Sequence, residues 1–296
     1  MPSRGWRGCT RSCSTNGDHE RGSEWHTFGV ALKIRGASID WDSGGAPKVP
    51  PLVWGHGLTS SRADEDRAPL VDLHRVRDHA TVVRYDAHGH GASSVLSEPE
   101  RGSWEELATD QIELIDYLGI SDVILGGASM GSGTALHAAL ELGDRVRGLL
   151  LVIPPTGWDE RAAQVDVYEQ MASIVEAKGV EPIITASAAL PPPDPFVGSD
   201  EYRERRAATM RAATPERLAA NLRGAGHADL PALERLATLA MPALVLAWTG
   251  DTGHPVSTAE RLGETLPNVD VVISSTAEEL ATWTQRTIDF LDVLVA

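Results

Sequence analysis

Short apolar runs alternate with segments of helical period along most of this chain. The runs are partly β-branched and end in glycine-rich or polar turns, which is typical of buried strands. The predicted strands are Thr27–Ile34, Ala37–Trp41, Val49–Trp54, Thr81–Tyr85, the run that begins at Val123, Val146–Ile153, Ala243–Trp248 and Val269–Ser274. Strands that alternate with helices at this spacing predict an α/β fold with a doubly wound, mainly parallel sheet.

Helix signals fill the gaps between these strands. Apolar periodicity predicts helices over Arg62–Arg75, Thr258–Leu266 and Ala277–Leu294. Ser103 is the predicted cap of a helix that continues to Leu118, with Glu106 completing a capping box. The polar stretch from residue 42 to residue 45 is predicted to be a turn.

The alternation stops between residues 154 and 239, where helical patterns occur without a convincing strand. The predicted helices there are Glu160–Lys178, Glu201–Arg211, Pro215–Arg223 and Leu230–Leu236, and residues 191–199 are predicted to be a loop. We therefore expect three parts: a disordered tail over residues 1–26, a core formed by residues 27–153 and 240–296, and a helical cap over residues 154–239.

Composition excludes several classes of partner. The chain is 42% hydrophobic and carries a net charge of −16 with a pI of about 5.0, so its field repels nucleic acid and anionic membranes. No apolar run approaches the roughly 20 residues of a membrane helix, and residues 1–25 lack the apolar core of a signal peptide. Cys9 and Cys13 could form a short disulfide or half of a metal site, but free thiols are the simpler interpretation. These features favour a soluble cytoplasmic protein.

The strand that begins at Val123 breaks into the pattern Gly127-x-Ser129-x-Gly131, and a helical segment follows. A serine on such a strand-to-helix turn has its hydroxyl exposed above the sheet, and the helix N-terminus suits a developing oxyanion. The flanking glycines let strand and helix pass close to the turn. The pattern predicts a nucleophilic serine, provided that other strands deliver its partners.

Polar and glycine-rich turns follow the other strands at the edge where ligands bind in such sheets. The turns are Gly55-His56-Gly57-Leu58, Asp86 with Gly89-His90-Gly91-x-Ser93, and Gly250-Asp251. Together with the serine turn, and in this order, they resemble the α/β-hydrolase superfamily. The resemblance covers the chain from about Val49 to the C-terminus, with a cap inserted after the sixth predicted strand, as in many members.

The resemblance implies roles for particular residues. Ser129 looks like the nucleophile, and the backbone N–H groups of Leu58 and Met130 look like the oxyanion donors. His56 and His90 are expected to hold loops by hydrogen bonds. His88 and His90 lack a third ligand at a suitable spacing, so no metal and no cofactor are expected.

The base and the acid depart from the family pattern. Members of the family carry the catalytic histidine in the loop after the last strand, whereas no histidine follows His254 here. His254 lies three residues after Asp251, and exclusion makes His254 the candidate base and Asp251 its acid. Asp159 is a reserve acid and His227, in the predicted cap, a reserve base.

Three tryptophans fall at or near strand ends. Trp54, Trp158 and Trp248 could line an apolar pocket, together with Trp104, although core packing explains each of them equally well.

The leading hypothesis is a serine hydrolase of a small carboxylic ester, lactone or thioester, acting through an acyl-enzyme on Ser129. A protein that binds a small apolar ligand without turnover is the alternative if no imidazole reaches Ser129. A dinucleotide-binding enzyme is a third hypothesis, since Gly55-x-Gly57-x-x-Ser60 and Asp86 nearly match that fingerprint, but Ser60 replaces its third glycine.

Overall fold

A computed structural model describes residues 26–27 and 31–294 of the chain. Ten strands form within this part: β1 (His26–Thr27), β2 (Leu32–Ile34), β3 (Ala37–Ile39), β4 (Trp41–Gly45), β5 (Leu52–Gly55), β6 (Thr81–Tyr85), β7 (Val123–Ala128), β8 (Val146–Val152), β9 (Ala243–Trp248) and β10 (Val269–Ser274). Eight of them make one sheet in the order β1-β4-β6-β5-β7-β8-β9-β10, and β2 and β3 form a separate hairpin. The six strands from β6 to β10 along this order are parallel, and β4 is antiparallel to both of its neighbours, β1 and β6. The expected mainly parallel sheet is therefore confirmed.

Helices connect the strands. Their bounds are α1 (Arg62–Arg67), α2 (Leu73–Val76), α3 (Trp104–Tyr117), α4 (Met130–Leu142), α5 (Arg161–Lys178), α6 (Glu181–Ala188), α7 (Asp200–Ala212), α8 (Pro215–Gly226), α9 (Leu233–Leu236), α10 (Val256–Thr265), α11 (Ala277–Leu280) and α12 (Trp283–Val293). In the part of the chain that the structure describes, no helix is long and apolar enough to cross a membrane.

Both faces of the sheet are buried, because consecutive side chains of a strand point to opposite faces. Leu125 of β7 packs with α3, α4 and α10 in one apolar cluster. Its neighbour Ile124 packs with α2 and α12 in another. This two-sided burial explains why β7 is apolar along its whole length.

Residues 154–239 are helical and contain no strand. They hold α5 to α9, and α6 was not predicted from the sequence. A third apolar cluster, which we call the α5–α8 cluster, lies within this segment and includes Ala172, Val175, Leu218 and Leu222. The segment is inserted between β8 and β9, which are neighbours in the sheet.

The turn predicted over residues 42–45 is wrong, because these residues belong to β4. Two long-range ion pairs fix this edge: Asp42 accepts from Arg62 at 2.7 Å and from Arg84 at 2.9 and 3.0 Å. Gly45 adopts a φ of +117°, which favours glycine, and β4 ends there.

Two predicted helices are each broken into two. Pro69 disfavours helix at the preceding residue, so α1 ends at Arg67, and α2 restarts behind the cap Asp72. The segment 277–294 likewise divides into α11 and α12.

The predicted capping box of α3 is only half formed. Ser103 Oγ accepts from the backbone N–H of Glu106 at 3.4 Å. The Glu106 carboxylate instead bonds to Arg35 at 2.6 Å and to Arg101 at 2.8 Å.

At the N-terminus, His26 lies in β1 instead of in the predicted tail. Residues 1–25, with Cys9 and Cys13, lie outside the described residues.

Candidate active site

Ser129 occupies a sharp turn between β7 and α4. Its φ of +52° is uncommon for a residue with a side chain, and its backbone N–H donates to the carbonyl of Val152 at 2.9 Å. A Cβ at Gly127 would lie 2.6 Å from the carbonyl oxygen of Gly55, so only glycine allows this approach. Ser132 Oγ, one turn later, bonds to the carbonyls of Gly127 and Val152 at 2.8 and 2.9 Å. The turn is therefore held from several sides.

An unbroken hydrogen-bonded chain runs from Ser129 to His254 and Asp251. His254 Nε2 lies 2.8 Å from Ser129 Oγ, and His254 Nδ1 lies 2.8 Å from Asp251 Oδ2. Because a carboxylate only accepts, Nδ1 carries the proton and Nε2 is free to accept one from the serine hydroxyl. This arrangement can activate the hydroxyl as a nucleophile.

The Asp251 carboxylate is held by further donors. Gly253 N–H donates to Oδ1 at 2.8 Å, and Trp248 Nε1–H donates to Oδ2 at 3.0 Å. Burial by itself raises the pKa of Asp251, but the bonds and charge of His254, together with these two donors, outweigh it and hold the pKa well below its usual value. The acid therefore stays ionised at neutral pH.

The reserve residues are not brought to Ser129. The Asp159 side chain is 94% exposed and lies 3.7 Å from Arg261. His227 is half-exposed and lies 3.9 Å from Glu100. The structure thus places His254 and Asp251 beside the serine, and the two alternatives elsewhere.

Two buried histidines anchor the loop after β5. His56 Nε2 accepts from the backbone N–H of Ala87 at 3.0 Å, and its Nδ1 donates to Gly57 O at 2.8 Å. His90 Nε2 lies 2.7 Å from Leu58 O. Burial lowers the pKa of both rings, that of His90 to about 3, so both are neutral at physiological pH.

The backbone around Leu58 and Met130 lies against the serine. A Cβ at Gly57 would be 3.7 Å from Ser129 Cβ, which places the start of this loop beside the nucleophile. Met130 begins α4, so its N–H has no partner within the helix. Leu58 also packs against the α5–α8 cluster.

The tryptophans proposed for a pocket have other contacts. Trp54 is 2% exposed, donates to Glu65 Oε2 at 2.8 Å and belongs to an apolar cluster of the core. Trp158 Nε1 donates to the carbonyl of Pro231 at 2.9 Å. Trp104 is buried, and the guanidinium carbon of Arg161 lies over its indole, 4.2 Å from the centre of the ring. Trp248 is buried too, and its Nε1–H donates to the Asp251 carboxylate.

The loop that carries Asp251 also bonds to the helical segment, which the sequence did not indicate. Thr249 Oγ1 donates to Asp194 Oδ2 at 2.6 Å, and Asp194 N–H donates back to Thr249 O at 2.9 Å. Thr156 N–H, after β8, donates to Gly253 O at 3.2 Å. Asp194 lies in a proline-rich stretch without periodicity, so no local signal marked this contact.

Two other kinds of site were considered from the sequence, a metal centre and a dinucleotide site. Among residues 26–27 and 31–294, no three His, Cys, Asp or Glu side chains are grouped so as to hold a metal ion. Asp86, the candidate ribose ligand, already accepts from the backbone N–H groups of Arg62 and Ala92, each at 2.9 Å. That carboxylate organises the protein's own loops.

Comparison with known proteins identifies the family of this chain. Residues 52–282 match the model of the alpha/beta hydrolase family. The chain is 29% identical over 233 residues to 3-oxoadipate enol-lactonase 2 of Acinetobacter baylyi, covering 78% of this chain and 81% of that protein. It is 27% identical over 193 residues to a putative carbamate hydrolase of Caulobacter vibrioides, covering 64% of this chain and 70% of that one.

Solved structures show the same fold. A hydrolase from Pseudomonas aeruginosa superposes with a TM-score of 0.72 at 25% identity, covering 90% of this chain and 97% of its own. The enol-lactonase of Burkholderia xenovorans superposes with a TM-score of 0.72 at 23% identity, covering 88% and 99%.

Proposed function

Since this chain belongs to the alpha/beta hydrolase family, we propose that it hydrolyses a small carboxylic ester, lactone or thioester through an acyl-enzyme on Ser129. The observation that carries the proposal is the chain of two 2.8 Å contacts from Ser129 Oγ through His254 to Asp251. The named activity of the enol-lactonase relative supports an ester-like bond as the target.

The proposed reaction begins with Ser129. Its Oγ attacks the carbonyl carbon of the substrate while His254 Nε2 takes the hydroxyl proton, and Asp251 stabilises the resulting imidazolium. The N–H groups of Leu58 and Met130 donate to the tetrahedral oxyanion. His254 then returns the proton to the leaving oxygen or sulfur. A water molecule, activated by the same ring, releases the acid and restores Ser129.

Ligand binding without turnover is the weaker proposal. It depends on Ser129 lacking a base, because a serine hydroxyl without one is a poor nucleophile. His254 Nε2 lies 2.8 Å from Ser129 Oγ, so a base is within reach and the reason for this alternative no longer applies.

We also propose that residues 154–239 act as a cap over this site. The segment touches the site on two sides: its α5–α8 cluster packs on Leu58, and Asp194 bonds to the acid loop at Thr249.

Tyr168 belongs to the part of this cluster that is only partly buried. Tyr168→Ala should therefore raise kcat/KM for long acyl chains relative to short ones, whereas the exposed Val167→Ala on the same helix should not. Equal profiles for both variants would argue against the cap.

Steady-state hydrolysis of p-nitrophenyl esters and simple lactones tests the proposed function. Ser129→Ala should lose at least about 10³-fold in kcat, and His254→Ala at least about 10²-fold, with circular dichroism unchanged. The reserve residues supply matched controls, so His227→Ala and Asp159→Asn should stay within about two-fold of the wild type. Wild-type rates in Ser129→Ala would refute the proposal.

A further inference from the structure

Trp248, Asp251 and His254 follow one another at intervals of three residues from the end of β9. Their polar groups converge on one oxygen atom. Trp248 Nε1–H and His254 Nδ1–H both donate to Asp251 Oδ2, at 3.0 and 2.8 Å, while Gly253 N–H holds Oδ1 at 2.8 Å. These three donors come from one short stretch of the chain, residues 248–254.

The indole of Trp248 is itself fixed. It is 4% exposed and stacks on Trp283 with ring centres 5.9 Å apart and an angle of 18° between the planes. Phe196, from the helical segment, meets it edge-on at 5.4 Å, and His254 does so at 6.2 Å. Because the indole is fixed, its N–H can fix the position of the Asp251 oxygen that accepts from it.

The carboxylate needs such a restraint. The terminal torsion of an aspartate has broad, shallow minima, so one backbone bond to Oδ1 leaves Oδ2 able to swing away from the histidine. Trp248 restrains Oδ2 itself, the oxygen atom that also accepts from His254. A hydrogen bond to an ionised carboxylate is also stronger than a hydrogen bond between two neutral groups.

We propose that Trp248 is a positioning residue of the catalytic triad, which holds Asp251 Oδ2 against His254 Nδ1. This inference rests on the proposed function. Two hydrogen bonds separate Trp248 from His254 and three separate it from the reacting serine, so it acts through Asp251.

A matched pair of variants tests the role, because the two stacked tryptophans each donate one N–H to a different acceptor. Trp248→Phe keeps a ring in the stack and removes the donor to Asp251. Trp283→Phe keeps a ring as well and removes only the donor to Ser274 Oγ, which lies at 2.9 Å. Both variants reduce the buried ring area by a similar amount, so thermal stability should fall in both.

Only Trp248→Phe should change the chemistry. Its kcat should fall about 10-fold or more with KM nearly unchanged, as for the loss of a hydrogen bond to a charged group. The acidic limb of its kcat/KM profile should move to lower pH, because a carboxylate oxygen that is free to swing away stabilises the protonated ring of His254 less strongly. Trp283→Phe should show the wild-type kcat and profile.

A double-mutant cycle separates the action through Asp251 from a general effect of packing. In an Asp251→Asn background, Trp248→Phe should change kcat by less than about two-fold. A full 10-fold loss in that background, or a wild-type kcat and pH profile in Trp248→Phe alone, would overturn the positioning role.

Two proton resonances supply readouts that need neither turnover nor a stable Trp248→Phe protein. The indole N–H signal of Trp248 should shift in Asp251→Asn, and that of Trp283 should not. If the Trp248 signal stays unmoved, the proposed contact is contradicted even when the enzyme is active. If the signal shifts but the wild type hydrolyses no ester or lactone, the contact stands, whereas the proposed function and the catalytic role of Trp248 both fall.

Discussion

Backbone strain is concentrated around Ser129. Among the residues that the structure describes, four other than glycine have positive φ. Three of them follow β7 or β8 at the edge that carries the site: Ser129 at +52°, Ile153 at +43° and Trp158 at +54°. Such a conformation is unfavourable for a β-branched residue like isoleucine. Ile153 is held by its N–H, which donates to Leu246 O at 2.6 Å. The surrounding bonds thus maintain a local geometry that these residues would not adopt alone, as is common at functional sites.

Glu65, in α1, has a carboxyl group with an unusual pKa. Its carboxyl group accepts from the indole of buried Trp54, and burial raises its pKa to about 8 against the opposing influence of that bond and of Arg84. The folded protein therefore keeps a proton that the unfolded chain loses near pH 4.5. Because the folded state binds more protons between these values, stability falls as pH rises from about 5 to about 8.

Glu65→Gln should remove this pH dependence while keeping an acceptor for Trp54. We expect the free energy of unfolding of the variant, relative to the wild type, to rise with pH by up to about 1.4 kcal/mol per unit in that interval. Urea titrations at pH 5, 6, 7 and 8 measure it. Glu264 is exposed, so Glu264→Gln is the control. Its free energy of unfolding should differ from that of the wild type by the same amount at every pH. A constant difference for Glu65→Gln as well would show that Glu65 is ionised in the folded protein.

At the scale of elements, the contact between α4 and β5 determines where Ser129 lies. A Cβ at Gly131 would be 2.5 Å from the carbonyl carbon of Gly55 and 3.0 Å from its Cα. Both atoms belong to the backbone of a central strand, so neither can move without distorting the sheet. The helix and the strand can approach this closely only because both residues are glycines.

Gly131→Ala should therefore destabilise the protein by about 1–3 kcal/mol, as overpacking of a rigid contact does. Gly226→Ala, at the end of α8, is the control, because its Cβ would meet only a side-chain atom of Val165 at 3.9 Å. There alanine should be neutral or stabilising by up to about 1 kcal/mol. Denaturant unfolding of both variants compares them, and equal stabilities would show that the helix can shift away from β5.

Elements with a strong local pattern were predictable from the sequence. Residues 243–248 and 269–274 form strands with the predicted bounds, because each is an apolar run between turn residues. β4 was missed because its residues favour turns locally, and the pairs that Asp42 makes with Arg62 and Arg84 are distant in sequence. The break between α1 and α2 could have been predicted from Pro69, which interrupts an otherwise helical pattern.

At the scale of the whole molecule, the candidate site is assembled from the carboxyl ends of neighbouring parallel strands. β5 supplies the loop at Leu58, β7 supplies Ser129, and β9 supplies Asp251 and His254. The sequence could nominate His254 by exclusion. It could not supply the 2.8 Å distance to Ser129, which depends on the strand order β7-β8-β9 and on the loop that crosses β8. The tertiary contacts of Trp248 and Asp194 were equally invisible in the sequence.

If Ser129 is an activated nucleophile, a fluorophosphonate should modify it, and mass spectrometry of the adduct shows which residue is modified. Such probes react with serines that a neighbouring base has activated. We predict one adduct per chain, on the peptide that contains Ser129, and none in Ser129→Ala. An adduct on a different serine, or a folded wild-type protein that remains unmodified, would show that Ser129 is not an activated nucleophile.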